Sequence, residues 1–532
     1  MRRREFLKHT AKVTAASVAI PAVIDGYPVK AFANSPLLSA LQGAATDNDH
    51  VLVMIQLFGG NDGLNMVVPL DVYGKYQAAR TNIAIPEGKV LPLQGNIKTG
   101  LHPAMKGIQE LYDDGKVCII QSVSYPSPDY SHFRATDIWL TGADSDKVLS
   151  TGWGGRYLAE EYPNFPEGFP NTEAPDPLAI QIGSLVSPMF QGPAASMGVA
   201  ISSATDFYDL IGEAPTNDPP LDKHWGVELK YIRLIAKQCD KYIDSIKLAA
   251  SKVTRQGAYP DTNLANQLKI VARLVAGGLK TRMYMVSLGN FDSHANQTEA
   301  GDTTKGFHAD LLDQVSGAIK AFMDDLTQLK ASKRVVGMTF SEFGRRIRSN
   351  GSMGTDHGAA APVIVFGDYV LQGVLGNSPT LPDTSTVADN IAMQYDFRSV
   401  YASLLEQWFC VKQEELENVL MKDYQRLPIV SGIACGLITA VPDVRDAGIN
   451  YITNYPNPFV EKTYIKYTTK GGHTMIQIFD TTGRLVTVPV SKVHVAGDYT
   501  ISFDAEGLPN GIYYARFQNG SISQVRTMMK VR

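Results

Sequence analysis

Residues 51–58 form an almost unbroken apolar run, Val-Leu-Val-Met-Ile-Gln-Leu-Phe, that stops at once in Gly59-Gly60-Asn61-Asp62-Gly63. A run without polar alternation predicts a strand over 50–58 buried on both faces, as in the centre of a mostly parallel sheet. Residues 101–115 place Leu101, Met105, Ile108 and Leu111 on one helical face. Further strands are expected over 117–122, 282–288, 334–340 and 361–366, and helices over 261–279 and 305–330. This alternation predicts an α/β domain over 48–430, a mostly parallel sheet sandwiched by helices, with an irregular insertion near 160–225. The glycine-rich turn after the first strand lies where open α/β sheets place ligands.

The pattern changes after residue 450. Short strands are expected over 464–468, 474–479, 485–489, 497–503, 511–518 and 524–531, which make a small all-β sandwich of 451–532. Asp480-Thr-Thr-Gly483 and Gln518-Asn519-Gly520 read as hairpin turns, and Tyr455-Pro-Asn-Pro-Phe459 as a rigid turn. The first 33 residues have another character. A basic start (Arg2, Arg3, Arg4, Lys8, Lys12) precedes a mild apolar run over 15–24 and Ala31-Phe32-Ala33, the layout of an export signal. Residues 34–47 and 431–450 read as linkers. The apolar runs are too short to cross a bilayer, so no integral span is expected in the mature protein.

Charge and composition narrow the function. The 532 residues carry a formal charge of -4, and no basic field points to nucleic acid as a partner. The first 33 residues hold six basic and two acidic groups, so the remainder carries -8. Four cysteines do not make a disulfide scaffold. Cys118 and Cys410 read as core residues, and Cys239 and Cys435 as a candidate pair in an oxidising compartment. Trp153, set among glycines, reads as a core residue or a stacking platform.

Four stretches carry candidate chemistry. Asp62 follows the first strand as a possible metal ligand. Ser131-His132 offers a hydroxyl nucleophile and a ligand or base, without the G-x-S-x-G elbow of an esterase. Asp292 and His294 follow the strand at 282–288, and one intervening residue lets both side chains address one ion. Glu342 and Arg345 follow the strand at 334–340, and Asp356-His357 lies in the next glycine-rich loop. Glu342 can serve as ligand or base, and Arg345 or Arg346 as an anion clamp. Asn296, Gln297 and His308 are lesser candidates. Mixed oxygen and nitrogen donors suit zinc, manganese or iron, with the number of ions open.

Three resemblances follow from these residues. Arg3-Arg4-Glu5-Phe6-Leu7-Lys8 resembles a twin-arginine signal, which implies recognition by the twin-arginine translocase. Tyr455-Pro-Asn-Pro-Phe459, Phe479-Asp-Thr-Thr-Gly-Arg484, Gly511-Ile-Tyr-Tyr514 and Lys530-Val-Arg532 resemble the C-terminal sorting domain of the Bacteroidetes type IX secretion system. Together they imply export across the inner membrane, then secretion or attachment to the outer cell surface. Gly59-Gly-Asn-Asp-Gly63, Ser131-His-Phe133, Gly152-Trp-Gly-Gly-Arg156, Phe291-Asp-Ser-His294, Ser341-Glu-Phe-Gly-Arg345 and Thr355-Asp-His-Gly358 resemble the DUF1501 family. That family is grouped with the alkaline phosphatase and sulfatase superfamily. The resemblance implies an alkaline-phosphatase-like fold, Asp62, Asp292, His294, Asp356 and His357 as metal ligands, and Ser131 as nucleophile. The superfamily's Asp-x-x-x-His spacing is shortened here to Asp292-x-His294. Its last metal-binding histidine has no counterpart in the core, leaving one position to Glu342, His132 or His308, or unfilled. The expectation is a secreted, metal-dependent hydrolase of phosphate or sulfate esters of small-molecule or polymer type. The alternative is a non-catalytic surface or binding protein on a degenerate phosphatase-like fold.

Overall fold

The computed structural model describes residues 48–202, 242–435 and 452–531, apart from 470, 481–483, 496, 520 and 521, together with two-residue strands at Val23–Ile24 and Tyr27–Pro28. The expected export signal otherwise lies outside the described residues. One compact unit comprises Asp49–Ser431 and Val441–Arg532, and the other Met1–Asn48 and Gly432–Ala440.

The core strands are β1 (Val51–Leu57), β2 (Val117–Ser124), β3 (Ala179–Ile182), β4 (Gly198–Ile201), β5 (Met283–Leu288), β6 (Val335–Phe340), β7 (Ala361–Gly367) and β8 (Gly373–Leu375). They form a nine-stranded sheet in the order β8-β2-β7-β6-β1-β5-β3-β4, with Tyr395–Asp396 as an extra strand on β2. β1 is central because it pairs in parallel with β5 on one side and β6 on the other. Its seven residues are all buried, as an apolar run without alternation requires. β7 is antiparallel to both β6 and β2.

Helices α1 (Lys106–Asp113), α2 (His132–Thr141), α3 (Trp153–Glu161), α4 (Asn263–Ala276), α5 (Phe307–Gln328) and α6 (Phe397–Gln407) cover the sheet. α1, α4 and α5 pack their apolar stripes on the face of β1 that carries Val51, Val53, Ile55 and Leu57. On the other face Trp139 of α2 stacks on Phe340 of β6 and on Phe397 of α6, and Trp153 of α3 stacks on Tyr401 at 4.3 Å. Trp153 is fully buried and belongs to the core.

Several sequence expectations need correction. α1 begins at Lys106 because Leu101 closes a strand, Asn96–Leu101, that pairs with Val67–Pro69. The segment 160–225 is not simply irregular: β3 and β4 come from it and extend the sheet beside β5. Cys410 is disulfide-bonded, as is Cys435, while Cys118 is a free buried thiol. Cys239 lies outside the described residues. After residue 451 two antiparallel sheets of three and four strands enclose Ile465, Tyr467, Ile476, Phe503 and Phe517. Their strands alternate buried and exposed positions, as a small sandwich requires.

The turn after β1 depends on two glycines. Gly59 (φ +124°) and Gly60 (φ +77°) adopt backbone conformations that favour glycine. A Cβ on Gly59 would stand 2.5 Å from the Asp292 amide nitrogen, and one on Gly60 2.2 Å from the Phe343 ring. Gly59→Ala is therefore expected to lose about 1–3 kcal/mol from backbone strain alone, with the clash adding to it. Urea denaturation checks this, and an unchanged midpoint would refute the close approach of this turn to the 291–292 loop.

Candidate metal centre

Topology brings separate loops to one edge of the sheet. β1, β2, β5 and β6 run in the same direction, so their carboxyl ends share that edge. β1 leads into Gly59-Gly60, β2 towards His132 at the start of α2, β5 towards Asp292 and His294, and β6 towards Glu342 and Arg345. β7 runs the other way, so its amino end lies at the same edge and the preceding loop delivers Asp356 and His357. Gly344–Arg345 and His357–Gly358 then pair as a short antiparallel ladder.

Asp292 is the focus. Its Oδ1 accepts from Arg345 Nη2 at 2.6 Å and lies 3.2 Å from both His294 Nε2 and His357 Nε2. Its Oδ2 lies 3.6 Å from His132 Nε2. The other nitrogen of each imidazole is held from behind. His132 Nδ1 is 2.8 Å from Glu342 Oε1, His357 Nδ1 is 2.9 Å from the Tyr130 carbonyl, and His294 Nδ1 is 3.1 Å from Asp356 Oδ1. Each ring therefore has an oxygen acceptor at Nδ1 and the Asp292 carboxylate beyond Nε2, and a neutral ring carries a proton for only one of the two. Three imidazole Nε2 atoms surround one carboxylate. Imidazole nitrogens gathered at a carboxylate, each ring backed through its other nitrogen, are the donor chemistry of a metal site. One donor atom each from His132, Asp292 and His357 lie within 4.8 Å of one another.

The surroundings fix this geometry. Burial would raise the Asp292 carboxyl, but hydrogen bonds from Arg345 and His357 hold it down at about 2. Burial lowers His357, against the pull of the Tyr130 carbonyl. Asp356 is held below the ordinary carboxylate range by Asn350 and His294, although burial opposes this. The Phe343 ring lies 4.9 Å from His132 and 4.5 Å from His357, closing the inner side of the cluster with an apolar wall. Glu342 is fully buried and also accepts from the Gly59 amide at 2.8 Å. Arg346 donates to the His357 carbonyl and lies over the Tyr130 ring, and so supports both neighbours of that bond.

Asp62 stands in a separate, buried layer. Its Oδ2 accepts from Arg80 Nη1 and Gln297 Nε2, both at 2.5 Å, and its carboxyl is lowered by Arg80 against the opposing effect of burial. Its Oδ1 has no hydrogen-bond partner. Gln297 ties this layer to the site, since its Oε1 accepts from Ser293 and Thr355, each beside a residue of the cluster. His308 lies here too, with Nε2 3.0 Å from Asn61 Oδ1 and its ring 6.3 Å from that of His102. Ser131 occupies the N-cap of α2, exposed and without a capping bond from its side chain. The structure thus gathers His132, Asp292, His294, Glu342, Arg345, Asp356 and His357, while Asp62 and His308 sit behind them. Arg80, which no motif marked, is the residue that sequence reasoning missed. Its partner lies 18 positions away, and only the fold brings the pair together.

Burial lowers His308 from 6.5 to about 4 and His102 from 6.5 to about 3. The unfolded chain therefore binds more protons than the folded one below about pH 6.5. Stability is complete above that pH and falls as the pH drops towards 4, by on the order of 3 kcal/mol for His308 alone. Denaturation midpoints measured from pH 7 to pH 4.5 check this. His308→Asn is expected to flatten the slope, and an unaltered slope would exclude a neutral buried imidazole at this position.

Residues 234–420 match the family described as "Protein of unknown function (DUF1501)", and residues 453–531 match the "Secretion system C-terminal sorting domain". Both domains are present in the chain. No curated protein matches it. Among solved structures it is similar to a protein in the alkaline phosphatase superfamily from Vibrio parahaemolyticus, at 10% identity over 86% of this chain and 91% of that one, with a TM-score of 0.32. It is also similar to the PsFucS1 sulfatase from Pseudoalteromonas sp., at 10% identity over 88% and 87%, TM-score 0.33. A third is the phosphonate monoester hydrolase from Silicibacter pomeroyi, at 9% identity over 90% and 88%, TM-score 0.30.

Proposed function

We propose that this chain is an exported hydrolase of phosphate or sulfate esters that works with one divalent ion held by His132, Asp292 and His357. The observation that carries the reading is the convergence of three imidazole Nε2 atoms on the Asp292 carboxylate, each ring oriented through Nδ1. These donors suit zinc, manganese or iron. Such an ion, when bound, lowers the pKa of water and polarises an ester oxygen.

The protein groups have distinct tasks in this reading. Glu342 keeps the Nδ1 proton on His132 and aims Nε2 at the site. Arg345 anchors Asp292 and is itself fully engaged, donating also to the Gly59, Gly60 and Thr355 carbonyls. It is therefore a positioning residue here and not a substrate clamp. His294 is half exposed at the rim and backed by Asp356. It is assigned the proton delivered from Nε2 to the leaving alcohol, because Asp356 stabilises the imidazolium. Ser131 remains the candidate nucleophile at the amino end of α2, where the helix dipole favours its alkoxide.

The secretion route completes the proposal. The sorting domain hands the chain to type IX machinery, the Arg3-Arg4 signal directs it to the twin-arginine translocase, and the folded product is released or held at the cell surface. No helix among the described residues is long and apolar enough to cross a membrane.

Purified full-length chain is expected to hold about one divalent ion by elemental analysis. Glu342→Gln weakens the support behind His132 and is expected to lower metal affinity about 10–100-fold. Asp356→Asn is expected to keep the ion but lower turnover of 4-nitrophenyl phosphate or sulfate by about 10²-fold. Ser131→Ala separates the nucleophiles: near-complete loss supports Ser131, and unchanged turnover assigns the attack to water. Absence of a bound ion would refute the metal reading. A bound ion without turnover of either ester would favour a binding protein on this fold.

A further inference from the structure

Beside the metal centre a polar cleft of about 410 Å³ opens between the loops around Asn82, Asn350 and Thr384. Asn350 belongs to both places. It lines the cleft, and its Nδ2 donates to Asp356 Oδ1 at 3.2 Å and to the His294 carbonyl at 2.8 Å. The cleft therefore adjoins the rim of the site formed by His294 and Asp356.

The lining is unusual for a site of this size, since small-molecule pockets of roughly 300–1,000 Å³ are mostly apolar. Here hydroxyl and amide side chains dominate, and no aromatic ring lines the cleft. Two cations and one carboxylate face it. Lys75 Nζ pairs with Asp383 Oδ1 at 2.9 Å, which neutralises that lysine. Among the described residues Arg348 has no carboxylate partner and donates only to the Ser385 carbonyl, at 3.4 Å. Ser385 Oγ, also on the wall, is buried without a hydrogen-bond partner.

We propose that this cleft binds the sugar portion of the ester substrate, a hydroxyl-rich unit carrying an anionic group besides the ester that is cleaved, with Arg348 as its anion contact. Hydroxyls of such a ligand match the amide and hydroxyl walls, and a planar guanidinium on an exposed stem suits a sulfate, phosphate or carboxylate. The inference rests on the hydrolase reading only for the identity of the bound group as substrate; binding itself is independent of turnover.

The test uses the full-length, metal-loaded chain and titration calorimetry with glucose 6-sulfate, glucose 6-phosphate and glucose. The two anions are expected to bind at least tenfold tighter than glucose, and the tighter of them identifies the anionic group preferred. Arg348→Ala, at an exposed position, is expected to weaken both anions about tenfold and to leave glucose unchanged. Asp383→Asn releases Lys75 and is expected to tighten both anions severalfold. Turnover of 4-nitrophenyl sulfate or phosphate, which lacks the sugar, is expected to be the same in Arg348→Ala as in the unsubstituted chain. Equal affinity for glucose and its anionic esters, or anion binding indifferent to Arg348→Ala, would overturn the proposal while leaving the hydrolase reading intact. Selective anion binding without ester turnover would instead remove that reading and retain the cleft as a binding site.

Discussion

The buried guanidinium of Arg345 is the joint on which the candidate metal centre depends. It donates to the Gly59 and Gly60 carbonyls after β1, to Phe291 and Asp292 after β5, and to Thr355 in the loop before β7. Loops after β1 and β5, and the loop that leads into β7, are thereby fastened to the residue that follows β6. A buried cation is costly without such partners, and removing one side of a buried pair costs about 3–5 kcal/mol. Here the carbonyls satisfy the planar fork, and the Asp292 carboxylate supplies the countercharge. The same contact that neutralises Arg345 therefore fixes the carboxylate around which the histidines gather.

A second constraint lies one layer deeper. Asp62 follows the central strand, and its buried carboxylate faces a cation. In this chain the cation is the guanidinium of Arg80, fully buried and bonded also to Asn65 and to the Ile347 and Arg346 carbonyls. The pairing compensates the buried carboxylate within the protein. The buried layer and the exposed layer share Gln297 as their bridge. Charge is thus balanced separately in each layer, Arg80 against Asp62 in the inner one and Arg345 against Asp292 in the outer.

Much of this was legible in the sequence for a simple reason. Parallel strands end at one edge, so Asp292, His294, Glu342 and Arg345, each just past an apolar run, must approach one another. His357 was legible by the same logic. Its strand runs backwards, yet the loop before an antiparallel strand reaches the same edge as the loop after a parallel one. Three things were not legible. The role of His132 stayed open between ligand and base because nothing local shows that its Nδ1 meets Glu342, 210 positions away. β3 and β4 were hidden because two four-residue strands carry too little pattern to stand out from an insertion. The Asp62–Arg80 pair was hidden because a lone arginine in a short helical stretch has no periodic or motif signature.

The contrast between the histidines follows from what lies behind each ring. His132 is backed by a buried carboxylate and His357 by a backbone carbonyl, and both rings lie against Phe343. Those partners cannot move without disturbing the sheet edge, so these two rings are held in fixed orientations. His294 is backed by Asp356, a surface carboxylate that also accepts from Asn350 on the wall of the polar cleft. That partner is half exposed and free of the core. Two hydrogen bonds, Asn350 Nδ2 to Asp356 Oδ1 and His294 Nδ1 to Asp356 Oδ1, therefore link the wall of the cleft to the rim of the histidine cluster, and the His294 ring passes that contact on to His357, 4.7 Å away.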